Sequence, residues 1–347
     1  MSATSDFRVI RPVAVGFNAG SYSSAGGEYY DRDGVLRTAP ADTLRVTYDP
    51  VDLAAPPRVL LDPGDTLTGN GLVYSNVPIA EPAYSATVTY AANQKVHDPA
   101  NGNVYMSLSA GNLGQPLSNI TYWLPMEVVI NRLIAFDRAV NSQTINLDMI
   151  VYAIMPGTLV SDLMLLNING ARVTVEQPLS GYRKTQTLVS HPVTSWYEFF
   201  AEEPLWVGDA YFENLFPRAD GPIVVIVEAR GTDAGIGCCF IGKSKTIGTT
   251  LTGLEGGVIS YSTDKTDAQG NMRLIRRPTA RRMSLEVHVA ESMKNYTYQL
   301  LSECTDVELA VVASTQYSMT FQYGYLGQWS VPLRLNDPVR IEFKGLI

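Results

Sequence analysis

"GPIVVIVEARG", Gly221 to Gly231, is a continuous apolar run bounded by glycines. Residues of this kind without alternation predict a strand covered on both faces, because a strand with one wet face alternates apolar and polar side chains. The neighbouring stretches read as β too. "ARVTVEQ" (Ala171 to Gln177) and "MSLEVHVAES" (Met283 to Ser292) alternate, as half-buried strands do. "DAQGN" (Asp267 to Asn271) separates "GVISYSTDK" from "MRLIRR" and predicts a hairpin connection. "DPVRIEFKGLI" closes the chain as a strand, and the glycines of "GTDAGIG" (Gly231 to Gly237) predict a turn before the strand "CCFIG". One helix is predicted in "VAESMKNYTYQLLSEC", where Met293, Tyr296, Leu300 and Leu301 fall near helical spacing.

The fold class that follows is mainly β and multi-domain. A small aromatic β-module precedes a larger β-sandwich-like C-terminal domain with one or two short helices. Texture divides the chain into residues 1–77, turn-rich; residues 78–125, aromatic and Asn/Gly-rich; and residues 126–347, β-rich almost throughout. In the first region, "DRDG" (Asp31 to Gly34) predicts a turn between two extended pieces.

Composition narrows the function. The chain is 46% hydrophobic and 17% charged, with 28 Gly, 20 Pro and 19 Tyr. A charge fraction below the usual level of about 25% fits a subunit that buries surface against neighbours. The net charge of −8 argues against nucleic-acid binding. No apolar run reaches the roughly 20 residues that span a bilayer. The N-terminus does not read as a signal peptide, so folding in a cytoplasm is expected. Cys238, Cys239 and Cys304 lack disulfide or zinc spacing and are expected as buried free thiols.

Enzymatic chemistry finds little to build on. His97, His191 and His288 are isolated, and no HExxH, P-loop or G-x-S-x-G pattern occurs. Carboxylate neighbours such as Glu202 and Glu203 do not by themselves make a glycosidase pair, which needs two groups facing each other across a cleft. No catalytic residue, metal ligand or cofactor is assigned. "RRPTARR" (Arg276 to Arg282) concentrates four arginines in an acidic chain and suits either a guarded strand edge or an anionic partner, such as a phosphate-bearing glycan or an acidic neighbouring subunit.

"YAANQKVHDPANGNVYMSLSAGNLGQPLSNITYWLP", Tyr90 to Pro125, carries the aromatic pattern of the central region. Rings stack on the C–H faces of sugars while Asn and backbone groups bond hydroxyls. The same rings also serve as the core of a small module. If the stretch contacts glycan, Trp123, Tyr105 and Tyr90 are the candidate rings, with Asn112 and His97 as polar partners.

Three resemblances frame these readings. "YYDRDGVLRTAPADTLRVTYDP" (Tyr29 to Pro50) resembles a segment near the start of many tailed-bacteriophage virion proteins, and implies subunit docking through Asp31, Asp33, Arg37 and Tyr48. "DLMLLNINGARVTV", "TSWYEFF", "CCFIGKSKTIGTT", "GVISYSTDKTDAQGNMRLIRRPTARRMSLEV" and "IEFKGLI", in that order, are similar to the C-terminal portion of a phage tail or baseplate family often labelled carbohydrate-binding. Tyr90, Val96, Asn101, Gly102, Val104, Tyr105, Gly114, Pro116 and Trp123 resemble the small carbohydrate-binding modules of chitinases and phage fibres, with Asn93 where a Gly is usual. Together they imply a structural component of a tailed-phage tail or baseplate, located in the virion. Its partners are other tail proteins, further copies of itself and host-surface glycan. A purely architectural subunit and a glycan depolymerase are the alternatives.

Overall fold

The computed structural model describes residues 6–12, 28–30, 36–38, 46–47 and 58–59 and then residues 71–189, 206–219, 221–251, 254–266, 272–277, 279–315, 317–334 and 337–346. Strand β1 (Asp6–Pro12) is followed by two short antiparallel pairs, β2 (Glu28–Tyr30) with β3 (Leu36–Thr38) and β4 (Val46–Thr47) with β5 (Arg58–Val59). Tyr30 is the antiparallel partner of Leu36, and the Asp31 to Gly34 stretch, where a turn is predicted, lies outside the described residues. Strand β6 (Gly71–Ser75) leads to the small module, built of β7 (Thr89–Tyr90), β8 (Lys95–His97), β9 (Asn103–Ser107), β10 (Asn112–Leu113) and β11 (Trp123–Val129). The large body follows: β12 (Thr144–Met155), β13 (Asp162–Asn169), β14 (Arg172–Gln177), β15 (Tyr182–Thr187), β16 (Ala210–Phe212), β17 (Ile223–Thr250), β18 (Glu255–Ser260), β19 (Thr263–Thr266), β20 (Met272–Ile275) and β21 (Thr279–His288). Helix α1 (Lys294–Glu303) then precedes β22 (Leu309–Val312), β23 (Phe321–Ser330) and β24 (Val339–Gly345). The chain is mainly β, as its sequence predicts.

The 28-residue β17 organises the body. Its first part lies between β12 and β14, with Val225 facing Tyr152 on one side and Val175 on the other. Ile223, Val225 and Val227 pack with Ile150, Tyr152, Ile154, Val173 and Val175. Val224 and Ile226 pack on the opposite face with Tyr74, Met149, Val151 and Ala153. Both faces are therefore buried, which is why the run shows no alternation, and each such side chain contributes about 1.5–3 kcal/mol. The alternating β14 is also covered on both faces, so it is not half-buried. Its polar positions are neutralised in place. Arg172 grips Glu228 with two hydrogen bonds, at 2.9 and 2.7 Å, and Arg183 sits 2.7 Å from Glu176.

The predicted turn at Gly231 to Gly237 is instead part of β17. Opposite it, Leu147 faces Asp233 and Met149 faces Glu228, so Ala229 to Thr232 bulge against Asp148 alone. Such a bulge bends the strand and passes it to its next partner, β13. The glycines serve close packing here: a Cβ on Gly237 would lie 2.8 Å from the Val140 carbonyl.

The second half of the body closes on itself. The end of β17 pairs with β1, β1 with β22, β22 with β23, β23 with β24, β24 with β21, and β21 returns to β17 through Thr249 opposite His288. All these pairings are antiparallel and the ring is a six-stranded barrel. Ile247, Leu285, Val287, Leu309, Val311, Leu326, Ile341 and Phe343 fill it. Closure removes the exposed edges that an open sheet would carry. The route from β21 to β22 crosses the barrel through α1, whose Leu300 and Leu301 join the barrel core. The buried face of α1 is Lys294, Thr297, Leu300 and Leu301, offset from the predicted one, and Met293 and Tyr296 are exposed.

The regional boundaries change accordingly. Strands β1 and β6 both lie within residues 1–77, yet β1 completes the barrel and β6 pairs with β12. Strand β11 runs through the boundary at 125/126, and Val104 of the module shares a core with Ile130 and Leu133. Ion pairs cross between the halves of the body, among them Arg8 of β1, 2.9 Å from Glu213, and Arg281 of β21, which holds Asp209.

All three cysteines are free and buried. Burial pushes the Cys238 thiol up to about 12 and raises that of Cys239 further. A thiolate is the reactive form. The native protein is therefore expected to resist an alkylating reagent at neutral pH, and all three thiols to react once it unfolds. Rapid native labelling of any of them would show that its surroundings are open.

Candidate functional site

The module is organised by turns that place its aromatic residues inward. Gly102 takes φ +75°, and Asn101 Oδ1 accepts the Asn103 N–H at 2.9 Å. This fixes the hairpin between β8 and β9 and brings Val96 opposite Tyr105. A Cβ on Gly102 would meet Leu133 Cδ1 at 2.5 Å, so the turn is also where the module sits against the body. Asn93 takes φ +65°. Asn tolerates the left-handed region better than most residues, which accounts for its standing where a Gly is usual.

Antiparallel pairing sets Trp123 opposite Ser107 on the face that carries Tyr105. Trp123 is 1% exposed and Tyr90 2% exposed, and with Val96 they form the module's own core. The rings meet edge to face: Trp123 is 5.2 Å from Tyr90 and 5.7 Å from Tyr84. Their polar ends are bonded internally. Trp123 Nε1–H and Tyr84 O–H both donate to the Gln115 carbonyl, at 3.0 and 2.8 Å. Tyr90 O–H donates to the Ser85 carbonyl at 3.1 Å and accepts the Ser85 N–H at 2.7 Å.

The polar candidates point inward as well. Asn112 is buried, donating through Nδ2 to Ser107 Oγ at 3.1 Å. Buried His97 has Nδ1 2.7 Å from the Glu81 carbonyl, and its backbone bridges to Ala83. Four of the five residues named for glycan contact, Trp123, Tyr90, Asn112 and His97, thus build the module rather than line its surface. Tyr105 alone is partly exposed, packed against the edge of the aromatic cluster. The aromatic spacing is the same for both roles, so spacing cannot separate them. The outer face of the module carries Leu113, Ile120 and Leu124 instead.

Of the docking candidates, Arg37 lies in β3, where the structure describes only the backbone, and Asp31, Asp33 and Tyr48 lie outside the described residues. His191 and the Glu202, Glu203 pair also lie outside them. His288 is exposed on β21. Among the described residues, no three His, Cys, Asp or Glu side chains gather where they could hold a metal ion.

A cavity of about 290 Å³ lies between the halves of the body, lined by Asn167, Asp209, Arg281, Gln322 and Tyr323 among others. Burial raises the Asp209 pKa, and Arg281 beside it opposes that rise. The Arg281 guanidinium lies against the Asp209 carboxylate, a contact that joins the two halves. No local pattern points to this pair, whose partners are 72 residues apart.

Comparison with family models, with curated proteins and with solved structures found no match to this chain.

Proposed function

We propose that the chain is an architectural subunit of a tailed-phage tail or baseplate. Two features support this reading. Ordered sequence blocks resemble a tail or baseplate family, and those within the described residues supply β13, β14, most of β18 to β21, the end of β17 and β24. The observation that carries the choice of architecture over adhesion is the burial of Trp123 and Tyr90. A ring stacks on sugar only through an accessible face, and these two rings are used inside the module. The module then acts as a docking unit, fixed to the body through Val104 and presenting Leu113, Ile120 and Leu124 outward.

Adsorption through glycan is a second reading, favoured by the partial exposure of Tyr105. A glycan depolymerase is the third reading, and an assay for release of reducing ends tests it. The architectural reading is tested on purified particles of the phage that encodes the chain. Quantitative mass spectrometry is expected to find it in multiple copies per particle, and antibody labelling to place it on the tail. Particles that lack it would overturn the proposal.

A further inference from the structure

We infer that the β18–β21 ribbon is an arm that docks on the acidic surface of a second copy of this chain; the inference rests on the reading of the chain as a repeated subunit. From Thr249 opposite His288, the ladder runs outward through β18 against β21 and then β19 against β20. Strand β24 accompanies β21 only as far as Arg282, opposite Lys344. Beyond it the arm is a two-stranded ribbon, a structure of marginal stability by itself. Ser262 carries it across the break between β18 and β19, its Oγ accepting the Arg277 N–H at 3.1 Å. The root is held by Arg281, which reaches back to Asp209.

Every residue of β19 and β20 is exposed. Pairing register sorts them onto two faces. Met272 and Leu274, 72% and 59% exposed, share one face with Thr266 and Asp264. Lys265 and Arg273 stand directly opposite each other on the other, beside the exposed Ile275. Like charges so placed destabilise a ribbon, and no acidic side chain among the described residues forms an ion pair with either. A partner that brings negative charge to Lys265 and Arg273 and apolar surface to Met272 and Leu274 relieves both features.

Charge selects the partner. The described ribbon carries Lys265, Arg273, Arg276, Arg277 and Arg282 against Glu255 and Asp264, in a chain of net charge −8. The remainder of each copy is therefore acidic and complements the arm. Two arms would repel each other, so the contact is arm to body. Such a heterologous contact forms a ring when its rotation closes. Nucleic acid fits less well, because the acidic body repels a polyanion and Met272 and Leu274 offer it nothing.

The test compares the oligomeric state of the full chain by sedimentation and light scattering with that of two variants, Met272→Glu with Leu274→Glu, and Arg273→Glu with Arg276→Glu. These positions are exposed, so the fold is expected to persist, and circular dichroism melting checks it. Self-association of the unaltered chain, weakened about 10-fold or more in both variants, is the expected result; added salt is expected to weaken the unaltered chain as well. Association unchanged in both variants would overturn the arm as the contact while leaving a repeated subunit standing. A unaltered chain that stays monomeric would overturn the arm proposal too, whereas particle composition decides the tail reading separately.

Discussion

Replacing Trp123 with alanine is expected to destabilise the module by about 3–5 kcal/mol, the usual cost of emptying a large buried aromatic site. The indole is fully enclosed, touches Tyr84 and Tyr90 edge to face, and donates its N–H to Gln115. Removing it leaves a cavity at the meeting point of β9 and β11. Chemical denaturation should show the lower stability, and amide exchange should rise across residues 84–123 first. Tyr105→Ala is expected to cost less, because that ring is already partly in water. If Trp123→Ala left stability unchanged, the ring would have to be accessible and the account of the module would fail. The same result governs how adhesion experiments are read: a loss of binding in Trp123→Ala reflects unfolding unless the module is shown to be intact.

Removing residues 1–12 is expected to abolish cooperative folding of the C-terminal barrel. Strand β1 contributes seven paired positions to β17 and three to β22. Without it the barrel opens and two edges with unsatisfied backbone groups face water, a template for aggregation. The truncated chain should therefore be largely insoluble or lose its sharp thermal transition. Register can be checked directly. Val9 is the Cα partner of Val311, and antiparallel partners lie within the span of a disulfide. Val9→Cys with Val311→Cys should oxidise to a bridge within one chain. A soluble truncated protein with an unaltered transition would mean that β1 is not part of the barrel.

Local chemistry was the legible part of this fold. The Ile223 to Val227 stretch shows burial on both faces because its side chains are all apolar, and β21 shows its barrel position because its residues alternate. Long-range pairing left no local mark. Nothing in "DFRVIRP" points to β22 some 300 residues later, so the N-terminal region read as separate. The glycines after Arg230 read as a turn because glycine marks both tight turns and close approach, and here close approach prevails at Gly237. The helix was legible but its inner face was not. Lys294 is buried with its Nζ donating to the Arg334 carbonyl, a tertiary contact that apolar spacing does not reveal. At the module the limit is sharper. The number and spacing of aromatic residues suit a sugar platform and a core equally, and only the pairing of Trp123 with Ser107 turns the ring inward.

The most direct measurement of the functional account is binding of purified, fluorescently labelled chain to host cells, unaltered beside Tyr105→Ala. The account of an architectural subunit predicts no saturable binding by either form, with both folded. Saturable binding by the unaltered chain that Tyr105→Ala removes would contradict it and make the module a receptor-contacting surface.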